Sequence, residues 1–392
     1  MKFKKLSPAV EKNLILISTI FYWSALYIYV PILSPYAKEL GGSLTIIGLV
    51  ISSYGLTQLL FRFPIGIWSD NTGQRKPFVV SGFLFALVSC IGLALSPNPW
   101  ILMIFRGLSG VSASMWVAYT VMYSGYFHDT QSTRSMSLIT FFTGFSQMIS
   151  TYVGGNLAEK YGWLTPFYWG AGLSLLGALT ILPVSENKLE KRSNFSIQRL
   201  IAVASRKRLL IVSIITALSQ FSVFVTVYGF LPIYATDIGA SKSQLGTLMF
   251  IIHLTQTLSM YLAGTYIAPR FGYKITVCFS YVCIAFVTII TPYIHSIHPL
   301  IIASGLGSFG RGFAYPLLMG LAIQGVPSED KATAMGFYQA VYAIGMFLGP
   351  AIGGFIGDAF GLKGVFFCAS IIYVTASVMS AYMLPGRKSK NS

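Results

Sequence analysis

The stretch GIWSDNTGQRK, residues 66–76, joins two long apolar segments through a short polar turn. The apolar segments, near residues 44–67 and 77–96, are each long enough to cross a bilayer, for which a helix needs about 20 apolar residues. Asp70, Arg75 and Lys76 place one carboxylate and two cations between them. The stretch therefore predicts a tight turn, in contact with water, between two membrane-spanning helices.

Apolar segments of this length recur along all 392 residues. Hydrophobic residues make up 54% of the chain and charged residues only 10%, whereas a soluble domain carries about 25% charged residues. So little charge cannot cover a globular surface, so lipid must cover much of it. We predict an all-α, multi-pass protein of the cell membrane with twelve transmembrane helices, near residues 13–36, 44–67, 77–96, 99–125, 133–157, 163–183, 209–233, 243–267, 273–293, 299–325, 332–356 and 362–384.

The position of the basic residues predicts the orientation. Of the 27 Lys and Arg, 20 fall in segments on the side of the N-terminus and 4 on the other side. The remaining three, Arg62, Arg106 and Arg311, lie inside predicted spans. Cytoplasmic loops carry an excess of Lys and Arg, so both termini are predicted to be cytoplasmic. The same pattern accounts for the net charge of +16 without a nucleic-acid partner.

The two halves of the chain resemble each other at an offset of 198 or 199 residues. The matched positions include Thr57-Gln58 with Thr255-Gln256, Gly154-Gly155 with Gly353-Gly354, Glu159 with Asp358, and Gly162 with Gly361. This repeat predicts two pseudo-symmetric six-helix bundles, residues 1–184 and 209–392, joined by a cytoplasmic loop, residues 185–208. Duplicated halves of this kind place a solute site between them, near the bilayer midplane.

Residues 66–76 resemble the G-x-x-x-D-R-x-G-R-K loop signature of the major facilitator superfamily, with Asn71 in place of the usual Arg. A weaker copy without the acid runs from residue 264 to residue 274. The resemblance covers the whole chain and is closest to the drug and metabolite exporter branch. It implies the twelve-helix fold of that family and a gating role for the loop residues Gly66, Asp70, Gly73, Arg75 and Lys76.

Two buried arginines are the leading candidates for the solute site. Arg106 and Gly110 resemble the family's R-x-x-x-G element of span 4, which is associated with proton-coupled members. Helical rise places Arg106 roughly 10 Å deep and Arg311 roughly 18 Å deep. A charge at such depth costs at least ~2.5–3.5 kcal/mol and normally faces protein or a watery cavity. The alternative is that both arginines bind backbone carbonyls beside the neighbouring glycines. Arg62 is expected to reach the cytoplasmic interface as a structural or gate residue.

The charges inside the spans favour one class of solute. None of the eleven acidic residues lies deep in a predicted span, so the buried charges are cationic. Their field favours an anionic or polar neutral solute over a lipophilic cation. His253, deep in span 8, titrates near neutral pH in an ordinary setting. We expect His253 and Arg106 to couple transport to protons; the alternative for His253 is a packing role.

Spans 1, 4, 7, 10 and 11 carry polar and aromatic residues that are expected to line the site together with the arginines. The candidate solute-binding residues are Arg311, Arg106, Trp23, Tyr27, Tyr119, Gln220, Tyr228, Tyr315, Gln339 and Tyr342.

Span 11 contains the pattern G-x-x-x-G-P-x-x-G-G, which resembles an element that exporters of the family carry in span 5. Small residues allow helices to approach closely, so a packing role is predicted for Gly345, Gly349, Pro350, Gly353 and Gly354. Span 5 of this chain has Ser146, Ser150 and Thr151 at the corresponding positions. This difference leaves the direction of transport open.

The sequence thus predicts a secondary active transporter that moves a small organic solute by alternating access, through proton-coupled efflux, as a monomer in the lipid bilayer. An importer or facilitator of the same fold stays open. An enzyme is not expected, since no carboxylates or histidines cluster for acid–base work, and neither a metal nor a cofactor is predicted. The four cysteines show no paired metal-ligand spacing. The alternatives from other classes are a non-transporting sensor or scaffold and a membrane-embedded enzyme.

Overall fold

Helices make up every regular element in the described part of the chain. The structure is a computed structural model that describes residues 6–127, 131–186, 197–327 and 330–384, without the side chains of residues 132–134, 197–200 and 332. The spanning helices are α1 (Pro8–Glu39), α2 (Leu44–Thr72), α3 (Lys76–Ala94), α4 (Pro99–Ser124), α5 (Ser132–Tyr161), α6 (Thr165–Ile181), α7 (Lys207–Asp237), α8 (Lys242–Phe271), α9 (Tyr273–Tyr293), α10 (Ile297–Gly312 and Ala314–Ile323), α11 (331–360) and α12 (362–383).

Eight helical segments of the described residues are long and apolar enough to cross a membrane, and one of them, Thr333–Met383, contains both α11 and α12. Gly361 separates the two with a φ of 69°, a left-handed conformation that glycine adopts without steric cost. Gly162 separates α5 from α6 in the same way, with a φ of 94°. The predicted fold class, twelve helices in two pseudo-symmetric bundles, is confirmed.

Helices extend beyond several of the predicted spans. The second span was predicted to end at residue 67, but α2 continues to Thr72, where Gly73 caps it with a φ of 66°. Intrahelical hydrogen bonds continue past the hydrocarbon boundary until a capping residue ends them. A short helix, Ile197–Ala204, lies within the predicted loop 185–208. Residues 187–196 of that loop lie outside the described residues.

Helices α1 and α7 are both interrupted near mid-length. In α1 the regular helix ends at Tyr27 and resumes at Val30, with Pro31 in the first turn of the second part. In α7 a π-helical turn, Thr226–Phe230, precedes Pro232. Proline lacks the backbone N–H that continues a helix, and π-turns frequently occur at functional sites. The interruptions lie at equivalent points of the two bundles.

The two faces of the protein are distinguished by the chain ends. The carboxylate of Glu11, near the start of α1, accepts a hydrogen bond from the backbone N–H of Ser185 at 3.0 Å, which joins the start of α1 to the end of the first bundle. We call this side the terminal face. The turns at residues 40–43 and 238–241 lie at the other end of the helices, which we call the opposite face.

The bundles contact each other through α2 against α11 and α5 against α8. A Cβ atom added to Gly48 would lie 2.2 Å from the carbonyl oxygen of Pro350, and one added to Gly155 would lie 2.6 Å from the Cα of Gly246. Backbones can approach this closely because glycine has no side chain. These glycines lie in the half of each helix nearest the opposite face. The two bundles therefore pack directly against each other there.

We expect Gly48→Ala to weaken the contact between α2 and α11. The added methyl group overlaps the backbone of α11, which cannot move away as a flexible side chain would. Overpacking of this kind costs about 1–3 kcal/mol, so the melting temperature of the purified protein should fall. Gly172→Ala is the matched control because nothing lies within 4 Å of its added Cβ. Equal melting temperatures for the two variants would contradict the contact.

Candidate functional site

Aromatic rings from both bundles meet at the interruptions of α1 and α7. The rings of Tyr27 and Tyr228 lie 6.2 Å apart, and the ring of His253 lies 6.0 Å from Tyr27 and 6.4 Å from Tyr228. Tyr27 belongs to the first bundle, and Tyr228 and His253 belong to the second. The interruptions therefore bring three sequence-predicted site residues together between the bundles.

A second row of rings crosses the same interface. Tyr54 of α2 stacks on Phe224 of α7 with ring centroids 6.3 Å apart, and Phe224 lies 4.9 Å from Tyr228. Trp23 extends the row into the first bundle through contacts with Tyr27 at 5.8 Å and with Trp116 at 5.1 Å. We call these rings, together with Arg106, Arg311 and Gln256, the central site.

Arg106 is held at the central site by close packing of α4 on α2. A Cβ added to Gly110 would lie 2.4 Å from the carbonyl oxygen of Tyr54. The Arg106 guanidinium lies over the Tyr54 ring, with Cζ 4.2 Å from its centroid, and Nη1 donates a hydrogen bond to the Tyr29 hydroxyl at 3.0 Å. Only 4% of Arg106 is exposed, and its Nε is buried without a hydrogen-bond partner.

Arg311 is held in a similar way in the second bundle, where α10 packs on α8, although it is not the repeat equivalent of Arg106, which aligns with Ser304. A Cβ added to Gly312 would lie 2.6 Å from the carbonyl oxygen of Gln256. Arg311 Nη2 donates to the side-chain oxygen of Gln256 at 2.6 Å, whereas its Nε and Nη1 are buried without partners. In the described part of the chain neither Arg311 nor Arg106 has a carboxylate within ion-pair distance.

Both arginines act on one point of the interface. Arg311 and Arg106 both lie near Tyr228, and Arg311 also lies near His253. His253 Nε2 and Trp23 Nε1 are buried without hydrogen-bond partners. Buried polar groups are nearly always hydrogen-bonded, so these atoms are suited to bind a ligand. The central site is apolar and aromatic in its walls and cationic in its polar groups.

The other predicted solute-binding residues lie outside the cluster of rings formed by Tyr27, Tyr228 and His253. Tyr119 is buried inside the first bundle, where its ring lies 4.9 Å from that of Trp116 and its hydroxyl bonds to the Ile15 carbonyl at 3.0 Å and to Ser18, so its polar group is directed into its own bundle. Tyr315 and Tyr342 lie closer to the terminal face. Gln220 of α7 and Gln339 of α11 are partly buried.

The sequence suggested that Arg62 reaches the membrane–water interface on the cytoplasmic side, but its side chain binds the other bundle instead. Because α2 continues to Thr72, Arg62 lies ten residues from the helix end, roughly 15 Å of helix rise. Its Nη1 instead donates to the hydroxyl of Tyr342 in the other bundle at 3.1 Å. Sequence reasoning placed Arg62 too near the surface because it ended the span where the apolar run ends.

Tyr54, Phe224, Trp116 and Gln256 also belong to the central site and were not among the predicted residues. Gln256 had a signal in the sequence, since Thr57-Gln58 repeats as Thr255-Gln256. The aromatic residues had no such signal, because hydropathy does not show which face of an apolar helix meets the other bundle.

The loop of residues 66–76 is tied to the first bundle. Asp70 forms an ion pair with Arg75 at 2.5 Å. Glu186 accepts a hydrogen bond from the backbone N–H of Lys76 at 3.1 Å, and Lys76 Nζ donates to the Leu182 carbonyl at 2.6 Å. The start of α3 is thereby joined to the end of α6. Two glycines complete the loop: Gly66 beside Val117, and Gly73 as the cap of α2.

The glycines of α11 divide between two neighbours. A Cβ added to Gly345, Gly349 or Gly353 would overlap the α7 residues Ala217, Phe221 and Val225, respectively. Pro350 and Gly354 instead lie against α2 of the other bundle. In α5, Gly154 lies against Ile28 of α1, whereas Gly155 lies against α8. The adjacent glycines thus serve packing within a bundle and packing between bundles in both halves of the repeat.

Two acidic residues close the opposite face by capping helices of the other bundle. Asp358 at the end of α11 accepts hydrogen bonds from the backbone N–H groups of Leu44 and Thr45 at 2.9 and 3.0 Å. Glu159 at the end of α5 accepts from Lys242 and Ser243 at 2.8 and 3.4 Å. The first N–H groups of a helix lack partners within it and carry partial positive charge, so carboxylates stabilise them.

A third contact joins the ends of α1 and α7, the helices that precede the two capped helices α2 and α8. Lys38 at the end of α1 forms an ion pair with Asp237 at the end of α7, with Nζ and Oδ1 2.6 Å apart. Both side chains are more than 40% exposed, and such pairs contribute only about 0–1 kcal/mol. We call the two acid caps and this ion pair the opposite-face closure; the caps supply most of its stabilisation.

Comparison with known proteins gives a family and several relatives. The model of the Major Facilitator Superfamily matches residues 15–237 and 212–392. An uncharacterised MFS-type transporter of Methanocaldococcus jannaschii is 24% identical over 386 residues, which cover 95% of this chain and 98% of that protein. The inner membrane transport protein YajR of Escherichia coli is 25% identical over 380 residues, which cover 94% of this chain and 82% of YajR.

A shorter match and a solved structure add to these. The quinolone resistance protein NorA of Staphylococcus aureus is 28% identical over 154 residues, 39% of each chain. The nucleoside transporter NupG has the same fold, with a TM-score of 0.78 at 15% identity over 95% of this chain and 98% of NupG. The family match spans both bundles of a duplicated twelve-helix fold, and the chain therefore belongs to the Major Facilitator Superfamily of membrane transporters.

Proposed function

We propose that this transporter is a secondary active exporter of small organic anions that carry an apolar or aromatic part. The observation that carries the proposal is the pair of buried guanidiniums, Arg106 and Arg311, which lie one in each bundle beside the rings that meet between the bundles and have N–H groups without a partner. Burial of an unpaired charge is costly. A bound anion would provide the counter-charge and the missing hydrogen bonds at once.

The chemistry of the site favours this class of solute over others. Hydrogen bonds between a guanidinium and an anionic oxygen are about twice as strong as neutral ones. A lipophilic cation would meet two like charges, and in the described residues it would meet no carboxylate at the central site. The rings of Trp23, Tyr27 and Tyr228 provide an apolar wall for the rest of the solute.

Alternating access follows from the opposite-face closure. With the bundles joined there, a solute reaches the central site from the terminal face, and separation of the closure would release it on the other side. The excess of Lys and Arg favours a cytoplasmic location for the terminal face. A solute loaded from the cytoplasm in this state would be exported when the closure opens. The relationship to NorA, a protein named for quinolone resistance, points to the same direction.

We further propose that His253 couples transport to protons. It lies at the contact between the bundles, beside Tyr27 and Tyr228, and its Nε2 has no partner. A proton on Nε2 would add a positive charge to a site that already holds Arg311 nearby. Anion and proton would therefore affect each other's binding. Export in exchange for protons further requires that the proton leaves Nε2 before the anion binds from the terminal face, and that a proton is taken up from the opposite face after the anion has left.

The first test replaces Arg311. Uptake of benzenesulfonate, benzoate and phenyl phosphate into inverted vesicles with an acidic lumen should be measured for the wild type and for Arg311→Met. Loss of a charge-assisted contact should raise the KM about 10- to 100-fold. The melting temperature should not fall, because replacing an unpaired buried charge by an apolar side chain is commonly neutral or stabilising.

Arg208→Met is the control, since Arg208 is exposed at the terminal face. No uptake of any of the three anions by the wild type would refute the proposed solute class. Uptake only into right-side-out vesicles would refute export.

The second test opens the opposite-face closure. Asp358→Ala combined with Glu159→Ala removes both acid caps, each of which contributes about 1 kcal/mol. The ratio of closed to open molecules should fall about 30-fold. Spin labels at the exposed positions Leu95 and His295, one in each bundle, would report a longer distance. Glu39→Ala, at an exposed acid of the same face, should leave the distance unchanged; an unchanged distance in the double variant would refute the closure.

The third test separates the coupling of transport to protons from the binding of the solute. His253→Gln should remove the acceleration of benzenesulfonate uptake by a pH gradient, because glutamine does not carry a proton. Exchange of labelled for unlabelled benzenesulfonate without a gradient should continue within about twofold of the wild-type rate, since the arginines remain. His298→Gln, at an exposed histidine of the opposite face, should behave as wild type. Full acceleration in His253→Gln would show that the proton binds elsewhere.

A further inference from the structure

Arg62 brings a third guanidinium to the space between the bundles. It lies eight residues beyond Tyr54 in α2, about 12 Å along the helix towards the terminal face. Its Nη1 donates to the Tyr342 hydroxyl of α11 at 3.1 Å, which joins the two bundles at this level. Its Nε is buried and has no hydrogen-bond partner. Like the two central arginines, Arg62 is incompletely satisfied by the protein.

Two tyrosines of the second bundle surround Arg62. Tyr342 of α11 accepts the hydrogen bond from Arg62, and Tyr315 of α10 lies near both side chains. Tyr342 is only 7% exposed. Tyr338, one turn away, differs because its hydroxyl bonds to Thr216 within the second bundle at 3.0 Å. A guanidinium and two phenol groups thus converge at a point between the central site and the terminal face.

We propose that Arg62, Tyr315 and Tyr342 form a first anion-binding station, at which the anionic group of the solute replaces the Tyr342 hydroxyl as the partner of Arg62. This inference rests on the proposed function and adds to it a specificity residue and an order of contacts. The anion meets Arg62 first and the central arginines afterwards.

The exchange is favourable because of the chemistry of the acceptors. A carboxylate, sulfonate or phosphate oxygen carries negative charge and accepts a stronger hydrogen bond from a guanidinium than a phenol does. A guanidinium can also bind such a group with two parallel hydrogen bonds, which a single hydroxyl cannot match. By replacing the Tyr342 hydroxyl, the anion would separate α2 from α11 at this level. Its own binding would therefore open the way to the central site.

Tyr54 connects this station to the central site. The charges of both Arg62 and Arg106 reach the Tyr54 hydroxyl, and the Arg106 guanidinium lies on its ring. An anion leaving Arg62 therefore moves towards a second positive charge before it has left the field of the first. Positive charges spaced along a route guide an anion in this way.

The test compares two variants whose effects should have opposite signs. The KM for benzenesulfonate is measured in inverted vesicles, which present the terminal face to the medium. Arg62→Gln should raise the KM about tenfold or more, because the station loses its charge. Tyr342→Phe should lower the KM about two- to tenfold, because the competing acceptor is removed. Arg62→Lys, which keeps the charge but not the planar group, should lie between wild type and Arg62→Gln and serves if Arg62→Gln does not fold.

Two controls define the outcome. Tyr338→Phe removes a hydroxyl bonded within the second bundle and should leave the KM within twofold of wild type. Inhibition by the neutral isostere benzenesulfonamide should not change in Arg62→Gln. If Arg62→Gln and Tyr342→Phe change the KM in the same direction, the pair is only a structural contact and the inference is refuted, whereas the proposed function stands. If the wild type does not move benzenesulfonate or the other two anions, both fall.

Discussion

The burial of guanidinium groups without carboxylate partners is the constraint on which the rest of the arrangement depends. Arg106 and Arg311 lie inside spanning helices of a protein covered by lipid, where unpaired charge is expensive. Each is held by close helix packing and by neutral partners only, Tyr29 and Ser109 for Arg106 and Gln256 for Arg311, which leaves N–H groups unsatisfied. Such an arrangement is unfavourable for stability alone, and the anionic solute that we propose would resolve it.

Duplication of the bundle provides both the site and its closure. Adjacent glycines at equivalent positions, Gly154-Gly155 and Gly353-Gly354, pack within a bundle and between bundles in each half. Glu159 and Asp358, also equivalent, cap the first turn of a helix in the other bundle. Because the two caps are related by the pseudo-two-fold axis, they act on both sides of the interface and hold it evenly.

The contacts between the bundles change in character along the helices. Near the opposite face they are backbone contacts and acid caps, which are short and leave no space. At mid-depth they are aromatic rings, and at Arg62 a single hydrogen bond to Tyr342 joins α2 to α11. A neutral hydrogen bond contributes about 0.5–1.5 kcal/mol, so that contact is readily exchanged for a better acceptor. The order from firm to exchangeable contacts fits entry from the terminal face.

The sequence by itself determined the all-helical membrane fold, the twelve spans and the repeat, because apolar length and a fixed offset are properties of the chain. It also singled out Arg106, Arg311, Tyr27, Tyr228 and His253 as candidates, since charge and polarity inside apolar runs are visible without coordinates. Only the tertiary structure decided that Tyr119 stays inside its bundle and that Arg62 meets Tyr342. The reason is physical: a lipid-embedded helix is apolar on every side, so hydropathy does not reveal which face meets lipid, its own bundle or the partner bundle.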